Sequence, residues 1–585
     1  MMIDALLAIA CLVHSLPIAD TTPAIAPLST GVTACESNLI DQYVLGTLGE
    51  LGIEPSALSS DTEFLRRLSL TVIGQLPKPE EIRSFVAEQR RDKRTRKIDE
   101  LLNHDLHSAV WASRFCEWTG NSIESLAVDE EVAYQVGQLW HQWLRGRFAR
   151  NEPYDRLVRS IITAQSRSVM SIGEWINEET AMVRAVRQRR DFTYADRATL
   201  DLFWKRTNVE DQYPVRELAE RVASVFLGVR INCARCHDHP FDQWTQADYH
   251  GYVRIFEQVR HDMSPELRRE FSRRLSERRR QFANGEQVGP PLPRITEVYL
   301  APLSENDDRP APKALGGPEF DVDTLDFRVA LADWMIDEGN PFFARNVVNR
   351  VWAHYFGRGI VEPLDGLGSN NENIAYRELL DDLSKRFVAS GYDVLKLELL
   401  ILNSTTWQLS SIPNESNRGD DRYFSRAFVR LPTAETFVDM WHAATGIEPD
   451  LGNTLIRGLH AVEIGPDRLP KDRWDGVLKL FGQPDREETC DCSPRGRPGI
   501  RQTLALMSDP LLIADISRGR LAKLRTDDLT HDQTVDELFL STLSRWPTGD
   551  ERAAVRRASA RSEKCDSWEG ILWSLLNTQE FITIH

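Results

Sequence analysis

No stretch of the sequence is apolar for long enough to span a bilayer as a helix. The longest such run, residues 3–16, falls short of the roughly 20 residues a spanning helix needs. It has the length of a signal-peptide core instead, although Asp4 lies within it and no Lys or Arg precedes it. Positive charge is also in deficit. Lys and Arg number 71 against 88 Asp and Glu, a formal net charge of -17, which excludes the positive field that sequence-independent nucleic-acid binding requires. The basic run at 90–97 is read as a solvated turn and helix start. Cysteine is scarce, with eight in 585 residues, which excludes a small disulfide-stapled scaffold. Gly-x-Ser-x-Gly, His-Glu-x-x-His, the phosphate loop and the dinucleotide fingerprint are absent, so the common hydrolase, kinase and dehydrogenase classes lack support.

What is present is ordinary globular material, 41% hydrophobic and 27% charged, enough for several real cores. The periodicity predicts a mainly α, multi-helical fold with at most a few short strands. Ile40, Val44, Leu48 and Leu51 form one stripe. Pro79 opens a helix with acids in its first turn, and Thr433 caps another. Residues 216–230 read as an amphipathic helix broken at Gly228, and Thr245 starts the next. Residues 262–282 form a charged, predominantly basic helix, and 283–323 are rich in Pro, Gly and acids, with one strand expected around Val298, Tyr299 and Leu300. This divides the chain into a leader and linker (1–37), a first module (38–260), a charged helix and linker (261–323) and a second helical module (324–585). The fifteen Trp suit either thick helical cores or sugar-stacking surfaces.

Chemistry concentrates in one stretch, Cys233-Ala234-Arg235-Cys236-His237-Asp238-His239-Pro240-Phe241-Asp242. Cys-x-x-Cys-His is the spacing that attaches a c-type haem, two thiols adding to the vinyl groups and the adjacent imidazole binding iron. Here that assigns Cys233, Cys236 and His237, with Met507, Met263, His250 and His354 as distal-ligand candidates. The same thiols are half of a tetrahedral zinc site. Cys490 and Cys492 would complete it and staple the two modules, or His239 and Asp242 would serve as harder ligands. A disulfide or a pair of plain thiols is the third reading. A weaker, hydrolytic reading uses Asp238, His239 and Asp242 as acid–base groups, with Arg345, Asn349, Arg350, His354 and Glu435 lining a site for a sulfated or carboxylated glycan. Covalent haem and stable disulfides both belong outside the cytoplasm, which agrees with the leader and sets the expected location as periplasmic or otherwise extracytoplasmic.

Several further segments carry a resemblance. In the first half they are NLIDQYVLGTLGELGI (38–53), FLRRLSLTVIGQLPKPEEI (64–82), NEPYDRLVRSII (151–162) and FLGVRINCARCHDHPFDQWTQADYHGY (226–252). In the second they are NPFFARNVVNRVWAHYFGRGIVEP (340–363), ILNSTTWQLSS (401–411), RLPTAETFVD (430–439), FGQPDREETCDC (481–492), RQTLALMSDP (501–510) and LNTQEF (576–581). Together they resemble a paired planctomycete family, a cytochrome-associated domain of unknown function followed by a planctomycete-specific domain of unknown function. The resemblance implies export and association with c-type haem, but no established activity. Longer members carry an additional cytochrome-c-like domain with its own motif; here the only haem-type motif is Cys233, Cys236 and His237. The expected partner is a redox protein or a polysaccharide, not nucleic acid.

Overall fold

Helices account for nearly all the regular structure in the computed structural model. It describes residues 38–585 apart from 123–124, 128–129, 189–193, 208–212, 304–308, 322, 369–374, 450, 452–457, 465–474, 482–499, 528 and 562–565. Among the described residues the one sheet is a two-stranded antiparallel ribbon, Val259–Asp262 with Glu297–Leu300. The expected strand is therefore present, and it brings both ends of the charged Pro265–Ala283 helix and its following loop back to the first module. No helix of the described residues is long and apolar enough to cross a membrane.

Local signals explain most helix boundaries. Pro79 occupies the first turn of Pro79–Ala87, Thr433 accepts from the Thr436 amide to cap Ala434–Thr445, and Thr245 and Asp248 form a capping box on Gln246–Arg254. Eight tryptophans, 111, 140, 143, 175, 204, 352, 407 and 441, are fully buried, so the high Trp content goes into cores. The segment 194–206, which has no sequence period, is core as well. Tyr194, Leu200, Leu202, Phe203 and Trp204 are buried. Asp201 holds them, accepting from Ser166 Oγ (2.6 Å), the Tyr194 hydroxyl and Lys205 Nζ (3.1 Å).

The main hydrophobic core is continuous across the two sequence modules, from Ile40 and Trp111 to Trp352, Leu383 and Trp407. A second core joins Leu70 and Leu76 to residues between Ala434 and Ile584. Polar pins cross the same seam. Glu398 is fully buried and accepts from Trp111 Nε1 (2.7 Å), His107 Nε2 (3.1 Å) and the Tyr355 hydroxyl (2.5 Å). Arg66 and Arg67, buried on the Asp61–Val72 helix, donate to carbonyls far along the chain. Arg66 reaches Thr542 and Phe581 (2.9 Å each), and Arg67 reaches Trp407 (2.7 Å), Leu409 and His585 (2.9 Å each).

Candidate functional site

The Cys-x-x-Cys-His loop is delivered by an irregular helix end. Val215–Val222 is α-helical, but Ala223–Leu227 widens into a π-helical turn that Gly228 closes at φ +66°. Such turns release backbone groups from the regular ladder, and the second module collects them. Asn346 Nδ2 donates to the Val225 carbonyl (2.6 Å), Arg350 Nη2 to Ser224 O (3.0 Å), and Arg350 Nε to Asn346 Oδ1 (3.1 Å). Leu367 N donates to Gly228 O (2.9 Å). Arg230 then forms a two-pronged ion pair with buried Asp365, both contacts at 2.8 Å.

After this anchored stretch, Asn232–Arg235 makes one 3-10 turn. Ala234 points into the core, while Cys233, Cys236, His237 and Asp238 are exposed. The loop closes on itself. His239 N donates to Trp244 O (2.8 Å), Gln246 N to Asp238 Oδ1 (2.8 Å), and the Trp244 ring is buried beneath. Gly368 of the second module backs it so tightly that a Cβ there would lie 2.7 Å from Trp244 Nε1 and 2.9 Å from Asp242 Oδ2. Burial in this corner raises the Asp242 carboxyl above its ordinary pKa.

The two histidines of the loop differ in tautomer. His237 Nδ1 lies 2.7 Å from the Asp238 carbonyl, which can only accept. Nδ1 therefore carries the proton and Nε2 presents a bare lone pair to solvent, the state in which an imidazole binds iron or zinc. In His239, Nδ1 accepts from the Phe241 amide (3.2 Å), so the neutral ring carries its proton on Nε2 and offers no lone pair outward. Phe241 is 90% exposed.

Among the described residues no three His, Cys, Asp or Glu side chains gather in a metal-holding group. Cys490 and Cys492 lie outside the described residues. Of the distal-ligand candidates, His354 is committed to the core. Its Nε2 lies 3.0 Å from Thr71 O, its ring packs on Trp111, and burial drives its pKa well below the ordinary value. Met507 is partly exposed on the Ile500–Ser508 helix, Met263 packs with Trp175 and Leu267, and His250 follows the loop on Gln246–Arg254 beside Tyr249.

The polar face of Phe343–Phe356, read from sequence as a glycan site, is a seam between modules. Asn346 and Arg350 brace the π-helical turn. Asn349 exchanges two hydrogen bonds with Val361, and Arg350 stacks over Trp118 at 5.1 Å. Arg345 pairs with Asp381 (2.6 Å), and Glu435 is buried on Ala434–Thr445. The polarity of Asn346 and Arg350 serves backbone groups of the first module, and that of Arg345 and Asn349 serves partners within the second, uses that helical periodicity cannot distinguish from a ligand face.

The molecule is thus a mainly α protein of two interlocked modules, carrying an exposed Cys-x-x-Cys-His loop at their seam. A family described as PSCyt2, protein of unknown function (DUF1549), matches residues 39–261, and one described as PSD1, protein of unknown function (DUF1553), matches 327–457. The chain belongs to the family in which these two modules occur in this order. No curated protein and no solved structure matches it.

Proposed function

We propose that this is an extracytoplasmic protein whose first module carries a covalent c-type haem on Cys233, Cys236 and His237. The observation that supports the reading most is the state of His237, with Nδ1 tied to a backbone carbonyl and Nε2 exposed beside two exposed thiols. The residues fit the group. Both thiols are open for thioether formation, the imidazole is held in its ligating tautomer, and Phe241 offers apolar surface for a macrocycle to cover. Bound haem would supply one-electron or small-ligand chemistry. The chain's own part is to hold the loop still through Gly228, Arg230–Asp365 and Trp244, and to keep the His237 proton on Nδ1.

The test is an absorption spectrum of protein produced with an export signal and a haem-maturation system, followed by a denaturing gel stained for haem peroxidase activity. A Soret band that survives denaturation and disappears in Cys233→Ala is expected. A colourless protein refutes the reading, and zinc found in that sample by metal analysis would transfer the site to a structural thiolate centre.

A further inference from the structure

The Pro265–Ala283 helix stands apart from the two main cores. Only Leu267 on it is buried, in a small cluster with Trp175, Ile176 and Ile295. It carries seven Arg and three Glu in a chain of net charge -17. The glutamates are all engaged: Glu266 with Arg167 (2.7 Å), Glu270 with Arg273 (2.6 Å) and Arg274 (3.0 Å), and Glu277 with Arg273 (2.5 Å). Arg268, Arg269, Arg279 and Arg280 have no carboxylate partner among the described residues, and all four are exposed.

Arg268 and Arg269 border a cleft of about 610 Å³, open to solvent, whose other walls are Asp262, Met263, Pro265, Ser272 and Tyr299. That volume is within the range of ligand sites. The helix end itself is already spent: Pro265 has no N–H, and Ser264 Oγ takes the Leu267 amide (3.1 Å). Anion affinity here comes from the guanidiniums. Among the described residues Arg268 makes only a long contact to Met263 O (3.4 Å), leaving its donors available there. Met263, Pro265 and the half-buried Tyr299 ring supply apolar surface, and burial followed by the Asp262 charge keeps the Tyr299 phenol protonated. Asp262 Oδ1 accepts from the Met263 amide (2.7 Å), and the carboxylate has lone pairs to spare.

We propose that this cleft binds an acidic oligosaccharide: Arg268 and Arg269 pair with its sulfate or carboxylate groups, the Tyr299 ring carries a sugar face, and Asp262 accepts sugar hydroxyls. Paired arginines suit oxyanions in two-pronged geometry, and a ring beside them suits the C–H face of a sugar. Asp262 decides between polyanions. A carboxylate on the rim repels a closely spaced phosphate backbone but complements a ligand in which charges alternate with hydroxyls. The surplus charge of the helix steers such a ligand towards an otherwise acidic molecule.

The full chain would be titrated calorimetrically with a sulfated, a uronic-acid and a neutral oligosaccharide of equal length, and with a single-stranded oligonucleotide of equal charge. Binding of at least one acidic sugar, with none of the neutral one, is expected, and the two acidic arms separate sulfate from carboxylate recognition. Arg268→Ala/Arg269→Ala should weaken binding by ~10-fold or more. Arg279→Ala/Arg280→Ala, which removes the same charge from the same helix outside the cleft, should change it less than ~2-fold at moderate salt. Tyr299→Ala should weaken binding several-fold without altering its salt dependence. Equal losses in the two arginine pairs, tighter binding of the oligonucleotide, or no binding of either acidic sugar overturns the proposal. Unchanged melting temperatures establish that the variants are folded.

Discussion

Gly228 is where the geometry can be tested most sharply. Its φ of +66° is costly for any residue with a Cβ, by about 1–2 kcal/mol. A Cβ there would also meet Asn346 Oδ1 at 2.7 Å and Leu367 Cδ1 at 2.8 Å. Pushing Asn346 aside breaks its bond to Val225 O (2.6 Å) and removes the acceptor of Arg350 Nε (3.1 Å), worth about 1–3 kcal/mol together because the orphaned groups are buried. Gly228→Ala should therefore destabilise by about 2–5 kcal/mol. Asn346→Ala alone should cost about 1–3 kcal/mol for the same two orphans. The double variant should lose less than the sum, by about 1–3 kcal/mol, since the two orphans are then counted once and Gly228→Ala adds only the backbone strain and the Leu367 contact. Urea midpoints for the four proteins, followed by tryptophan fluorescence and converted with a common m-value, measure this coupling. Additive losses, or a Gly228→Ala protein within ~0.5 kcal/mol of the parent, would show that the helix end is not braced as described.

Three further outcomes follow from the same structure. Burial, then the Lys205 charge, lowers the His261 pKa to about 4 from 6.5. Its neutral ring contributes fully above pH 6.5. As pH falls the unfolded chain takes up a proton that the folded chain refuses, so about 3 kcal/mol is lost between pH 6.5 and 4. His261→Gln should flatten the melting temperature over that window, and parallel curves would contradict the assignment. Glu398→Gln replaces an acceptor of three converging donors with a group that must itself donate, and should cost about 2–3 kcal/mol in the urea midpoint; a neutral effect would mean the cluster is not satisfied as drawn. In the unmodified reduced protein, mass spectrometry after brief alkylation should find Cys233 and Cys236 labelled and buried Cys116 untouched until denaturant is added. Labelling Cys116 first would refute the burial pattern.

The sequence is informative where chemistry is local. Pro79, Thr245 and Thr433 mark helix starts because their effects act within one turn. The strand at Glu297–Leu300 stood out as β-prone residues among Pro and Gly. The helix read over 216–230 is a shorter α-helix with a π-helical turn, since Val225 and Phe226 fit the apolar stripe and the widening depends on Asn346 and Arg350, more than a hundred residues away. The segment 194–206 was illegible for a related reason. Its aromatic residues are ordered by a buried ion cluster, not by a repeat. At the candidate site the motif residues were evident, but the different tautomers of His237 and His239 depend on loop closure and belong to the structure alone.

The buried guanidiniums of Arg66 and Arg67 also set a schedule. A ribosome adding ~5–20 residues per second needs about 25–100 s to travel from Arg66 to Phe581, 515 residues later. Arg67 gains the Trp407 and Leu409 carbonyls part-way through that interval and Phe64 can stack on Phe85 early, but Arg66 has none of its carbonyl partners until Thr542 and Phe581 emerge. One of the earliest helices is thus among the last to be sealed. A chain exported in the unfolded state would cross its membrane before that seal can form, and would finish folding on the far side.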